Sequence, residues 1–100
     1  MSFQPLARLM ELDEGFRRVV RVGAREYLLL HSDGQTHLIE RHCPHAGAPL
    51  DRSAVGEGIL TCPRHGIRFD LRTGRPDTAG CAVLQRYQLT YDGDRIGVDV

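Results

Sequence analysis

No apolar run in this 100-residue sequence exceeds four residues, as at Tyr27–Leu30. A membrane-spanning helix needs roughly 18, so none is expected. The first ten residues carry neither the apolar core of a secretion signal nor a twin-arginine motif, which makes the cytoplasm the expected location. No Gly-x-Gly-x-x-Gly fingerprint is present, so the chain has no dinucleotide site through which to take hydride itself. An excess of one charge is missing too. Thirteen acids balance thirteen basic residues, all arginine and none lysine, and no global field draws the chain to nucleic acid or lipid. Helical periodicity is absent apart from a weak pattern over 8–14. There is no internal repeat, linker or low-complexity tract. Cysteine is scarce, and the three present, Cys43, Cys62 and Cys81, cannot all pair. Cys81 has no near neighbour and reads as a small buried hydrophobe.

What is there reads as one domain, residues 1–100, with a single core that buries roughly 60–70 % of the unfolded chain's surface. Pro5–Leu12 is a strand candidate, with Leu6, Arg8 and Met10 on one side and Ala7 and Leu9 on the other. Phe16–Val22 and Glu26–Leu30, split by Gly23-Ala24, form a hairpin. Ser32-Asp33-Gly34 turns the chain tightly into a strand over Gln35–Glu40. After a Gly-rich spacer at Gly56 and Gly58, a short strand is expected at Ile59–Thr61, and Ile67–Leu71 leads away from the second loop to end at Thr73-Gly74. Ala82–Leu84, Tyr87–Tyr91 and Arg95–Val100 then close the sheet, with Asp92-Gly93-Asp94 as the last hairpin turn. The fold class is all-β: an antiparallel sandwich or barrel with a small cap, approximately 41–75, inserted between strands.

The chemistry concentrates in that cap. Cys43-Pro44-His45 is answered, across sixteen residues, by Cys62-Pro63-Arg64-His65. Each arm offers one thiolate and one imidazole, so Cys43, His45, Cys62 and His65 read as a metal site formed by two tight loops. A zinc finger groups its ligands as a Cys pair followed by a His pair, whereas here both arms are mixed. A structural zinc module held by the same four residues is the alternative from another class. A Cys43–Cys62 disulfide would leave His45 and His65 unexplained. His42 is not counted, because neighbours in an extended segment point to opposite sides. His31 and His37 read as surface residues. Between Arg41 and Arg75 six arginines face three acids, so the surface around the site is expected to be mildly positive. Arg64, between the ligands of the second arm, either meets an acidic partner or faces water.

The mixed pattern resembles the Rieske iron–sulfur signature, in which two His replace two Cys on one iron of a [2Fe–2S] cluster. Ala48-Pro49-Leu50, Gly66, Phe69-Asp70 and Thr73-Gly74 also resemble the family's soluble ferredoxins. The resemblance implies that Cys43 and Cys62 bind one iron, that His45 and His65 bind the other, and that the imidazole edges are the exit for the electron. It implies a one-electron carrier rather than an enzyme: a cytoplasmic, monomeric ferredoxin passing electrons from a flavin-dependent reductase to a terminal oxygenase. The Rieske small subunit of a larger reductase, such as nitrite reductase, is the runner-up. High-potential members carry a Cys pair linking the loops and hydroxyl donors near the cluster. Here Gly47, Ala48 and Pro63 fill the linking positions, and Ile67 and Phe69 the hydroxyl ones. A potential toward the low end of the roughly −150 to +300 mV Rieske range is therefore expected. Pro76 is a candidate third loop over the cluster.

Overall fold

The computed structural model describes residues 2–45, 47–64 and 66–100. It contains ten strands: β1 (Phe3–Arg8), β2 (Arg17–Val22), β3 (Arg25–Ser32), β4 (Gln35–Glu40), β5 (Ala54–Gly56), β6 (Ile59–Thr61), β7 (Arg68–Asp70), β8 (Arg86–Tyr87), β9 (Thr90–Asp92) and β10 (Arg95–Asp99). Two-residue turns fix four of the hairpin registers. Asp33-Gly34 joins β3 to β4 with φ of 54° and 75°, and Glu57-Gly58 joins β5 to β6 with φ of 55° and 75°. A pair of positive φ values matches the right-handed twist of the flanking strands, which is why Gly holds the second position in both. Gly23-Ala24 and Gly93-Asp94 close the β2–β3 and β9–β10 hairpins. The Gly-rich spacer is thus a hairpin in its own right, with Gly56 inside a strand.

The strands form three antiparallel sheets, β1-β10-β9, β2-β3-β4-β8 and β5-β6-β7. The four-stranded sheet lies between the other two, and β3 shows why. Leu28, Leu29 and Leu30 are all at most 1 % exposed, although neighbouring side chains on a strand face opposite ways. Leu29 packs with Leu6, Ala7, Leu38, Ile96 and Val98, toward the first sheet. Leu28 and Leu30 pack with Ile39, Leu60, Phe69, Leu71 and Leu84, toward the third. A strand covered on both faces reads as a continuous apolar run, which is what Tyr27–Leu30 is.

Three expectations are corrected. The first strand stops at Arg8, and a short 3₁₀ turn, Leu9–Glu11, follows. Its register shifts between Pro5 and Ala7, so Leu6 and Ala7 are both buried instead of alternating. Ala82–Leu84 is not a strand. Its Leu84 N–H donates to the Gly74 carbonyl at 2.8 Å, and the Leu84 side chain plugs the core under the third sheet. Tyr87–Tyr91 divides between β8 and β9, which belong to different sheets.

Candidate metal centre

The third sheet and the two loops around it carry the candidate ligands. In the first loop the Cys43 N–H donates to Ala48 O at 2.8 Å, and the Gly47 N–H donates back to Cys43 O at 2.7 Å. In the second, Cys62 N–H donates to Ile67 O at 2.8 Å and Gly66 N–H to Cys62 O at 3.0 Å. The two loops therefore share one backbone pattern, Cys-Pro-x-x-Gly, closed across the same spacing. Pro at the second position sets φ and has no N–H to satisfy. Gly47 and Gly66 both adopt left-handed φ, 69° and 71°, which side chains disfavour. The first loop sits at the end of β4, where His42 bridges Pro49 and Leu50 N–H donates to Arg41 O at 2.8 Å. The second connects β6 to β7, where Thr61 faces Arg68.

Burial separates the ligand types. Cys43 and Cys62 are 2 % and 1 % exposed and belong to one cluster with Ala48, Leu50, Leu60, Ile67 and Phe69. His45 is exposed, one position past Pro44. Buried thiolate donors with a surface imidazole suit a cofactor that is anchored inside the protein and reached from outside. Soft thiolates select iron–sulfur or zinc, and imidazole accommodates either. His65 lies outside the described residues, as does Ala46. Among the described residues no three His, Cys, Asp or Glu side chains gather on a single point. His42 is exposed while Cys43 is buried, as the extended geometry requires.

The base of the first loop is held by an ionic clasp that the sequence did not reveal. Arg41 Nε and an amino nitrogen donate to the two Asp51 oxygens at 3.2 and 3.0 Å, and its other amino nitrogen donates to Glu26 at 2.9 Å. The hydrogen bond from Arg41 holds the Asp51 carboxyl below the ordinary carboxylate range, and the same bond raises Arg41 further. Arg17 adds a bond from its guanidinium to the Asp51 carbonyl at 3.0 Å. Only the ten-residue separation of Arg41 and Asp51 on either side of the loop could have signalled this. Pro76 lies alongside β7, bridged to Phe69, and Asp77 N–H donates to Arg68 O at 2.9 Å. Ser53 is 2 % exposed, and its hydroxyl has no hydrogen-bond partner among the described residues.

Other expectations shift modestly. Cys81 is only half-buried against the core, its thiol 3.4 Å from the Ala82 carbonyl. His31 and His37 are half-buried rather than on the open surface. His31 Nδ1 lies 2.8 Å from the Thr36 hydroxyl. Burial pushes the His37 pKa down, with help from Arg86 and His31. Both line an open cleft of about 630 Å³ with Arg72, Arg86 and Tyr91. No helix among the described residues is long and apolar enough to cross a membrane.

Residues 2–88 match the model of the Rieske [2Fe-2S] domain. Human apoptosis-inducing factor 3 is 31 % identical over 94 residues, 93 % of this chain, and this chain spans only 16 % of that protein's length. The ferredoxin component of the alkene monooxygenase system of Xanthobacter autotrophicus is 30 % identical over 87 residues, 86 % of this chain and 71 % of that one. Among solved structures, the ferredoxin of carbazole 1,9a-dioxygenase from Nocardioides aromaticivorans superposes with a TM-score of 0.81 at 29 % identity, covering 97 % of this chain and 96 % of that one. Mixed Cys/His loops of matching backbone, buried thiols beside an exposed imidazole, and this coverage lead to one conclusion: the chain belongs to the Rieske [2Fe-2S] domain family and takes one such cluster as its cofactor.

Proposed function

We propose that this chain is a one-electron carrier, in which Cys43 and Cys62 hold one iron and His45 and His65 the other. Residues 1–100 act as a single domain, with approximately 41–75 as the cluster-bearing cap. The bound cluster supplies one reversible electron per cycle. The protein's share is to bind, shield and orient. The apolar cluster around Cys43 and Cys62 keeps water from the thiolates, and the exposed His45 offers a conducting edge to a docked partner. Neutral imidazoles in place of two thiolates leave the oxidised centre uncharged rather than dianionic, which eases reduction. The observation that carries the reading is the pair of matching Cys-Pro-x-x-Gly loops, one following β4 and one joining β6 to β7, whose cysteines lie in one buried cluster.

A flavin-dependent reductase as donor and a terminal oxygenase as acceptor complete the reading, for a monomeric, cytoplasmic protein. The relatives named as ferredoxin components of oxygenase systems support the oxygenase as acceptor. The Rieske small subunit of a larger reductase, such as nitrite reductase, is the second reading; in the human relative the matching stretch is 16 % of a far longer chain, so a module of this kind also occurs within larger proteins. Aerobically purified protein is expected to be red-brown and to contain two irons and two acid-labile sulfides per chain. His45→Ala should abolish the visible spectrum and the EPR signal of the reduced protein. Colourless protein, or a spectrum indifferent to His45, refutes the assignment.

A further inference from the structure

The molecule is neutral overall but polarised. Residues 41–75 hold six arginines against three acids, a net +3, and the remainder holds seven against ten, a net −3. Adding Asp77, whose Oδ1 accepts from the Arg68 N–H at 3.1 Å, lowers the cap to +2 and leaves its sign unchanged. The structure shows which of these charges are already engaged. Arg41 pairs with Asp51 and Glu26, and Arg72 lies 3.7 Å from Asp70. Arg52, Arg64, Arg68 and Arg75 are exposed and form no ion pair among the described residues.

Two of the four stand at the candidate centre. Arg64 is part of the second ligand loop, and Arg68 opens β7 opposite Thr61, the residue before Cys62. Guanidiniums that form no ion pair among the described residues are not internal fastenings of the fold. Exposed as they are, their forks are available to match carboxylates bidentately.

We propose that the cluster-bearing end is a cationic docking surface, with Arg64 and Arg68 at its centre, for an acidic face on the partner redox protein. This rests on the electron-carrier reading. The positive cap and negative body give the chain a dipole that turns its cluster end toward an acidic partner before contact. Electrostatic complementarity of this kind acts chiefly on encounter rate and orientation, and salt suppresses it.

Small redox probes test the surface without the partner. The cluster-loaded protein is reduced and mixed in stopped flow with ferricyanide, a trianion, or with tris(phenanthroline)cobalt(III), a trication. Each event moves one electron from the reduced centre to the probe, giving ferrocyanide or the cobalt(II) complex. Between about 10 mM and 1 M salt the screening length falls from about 30 to about 3 Å. The ferricyanide rate is expected to drop about tenfold over that range, while the cobalt rate rises or stays level. Arg64→Gln/Arg68→Gln, which removes two positive charges without reversing them, should abolish the ferricyanide dependence, whereas Arg95→Gln on β10, in the sheet packed on the other face of the four-stranded sheet, should leave it intact. If Arg64→Gln prevents cluster loading, Arg68→Gln alone should still reduce the dependence about twofold. A ferricyanide rate in cluster-loaded wild type that is flat or rises with salt overturns the proposal. Absence of iron in the purified protein would instead overturn the electron-carrier reading.

Discussion

Arg41→Met is the sharpest test of how the body holds the first ligand loop. The substitution keeps the aliphatic stem and removes three donated bonds, two to Asp51 and one to Glu26. Side-chain exposures of 26 % for Arg41, 32 % for Asp51 and 38 % for Glu26 place these pairs between surface and interior. Exposed pairs contribute roughly 0.2–1 kcal/mol each, and hydrogen bonds to charged groups about 1.5–3 when well shielded. Discounted for solvent, the clasp contributes about 1–2 kcal/mol. For a domain of this size that corresponds to a fall in Tm of roughly 5–15 °C. Near-UV circular dichroism melts of the cluster-loaded protein measure it, and the visible absorbance follows cluster release in the same run. Asp51→Asn and the double variant complete a cycle whose coupling energy should be at least about 0.5 kcal/mol. Release of the cluster should quicken in each single variant, since Leu50 N–H and Arg41 O close the loop directly above the clasp. A Tm change below about 2 °C, or strictly additive single variants, would refute the reasoning.

His37 supplies a pH signature. Its folded pKa lies below 6.5, so the unfolded chain binds more protons near and just below that pH, and stability should fall between about pH 7 and about pH 6, from above the unfolded value toward the lowered folded one. His37→Gln should flatten that slope in chemical denaturation at the two pH values; an unchanged slope rejects the assignment. Gly97→Ala places a methyl 2.0 Å from the Gln4 carbonyl and 2.9 Å from Pro5 Cα. Both are backbone atoms, so β1 must move, and a loss of about 1–3 kcal/mol is expected in urea unfolding; a neutral variant would contradict the close β1–β10 approach. The potential should lie toward the low end of the roughly −150 to +300 mV range, because Ile67 and Phe69, 5 % and 0 % exposed, present no hydroxyl. Ile67→Ser should raise it; a wild-type value well above zero in a redox titration would refute this.

The parts of the fold that were legible in the sequence are those decided within a few residues. Asp33-Gly34 and Gly93-Asp94 pointed to hairpins because such residues adopt the backbone conformations of tight turns most readily. The two Cys-Pro-x-x-Gly loops were legible for the same reason, together with the donor chemistry they carry. Residues 82–84 misled because Ala-Val-Leu suits a strand locally, yet the Leu84 N–H finds Gly74 instead of a ladder. Leu6 and Ala7 misled because a register shift, not a propensity, buries both.

The sequence alone thus determined the all-β class, the turns, the four candidate ligands and the cofactor they imply, since spacing and side-chain chemistry act at short range. Only the tertiary structure decided that β3 is covered on both faces, that Arg41 and Asp51 close the base of the first ligand loop, and that Arg64 and Arg68, at the second, form no ion pair among the described residues. Those outcomes depend on which distant strands and charges meet, and that is settled by burying apolar surface across the whole chain.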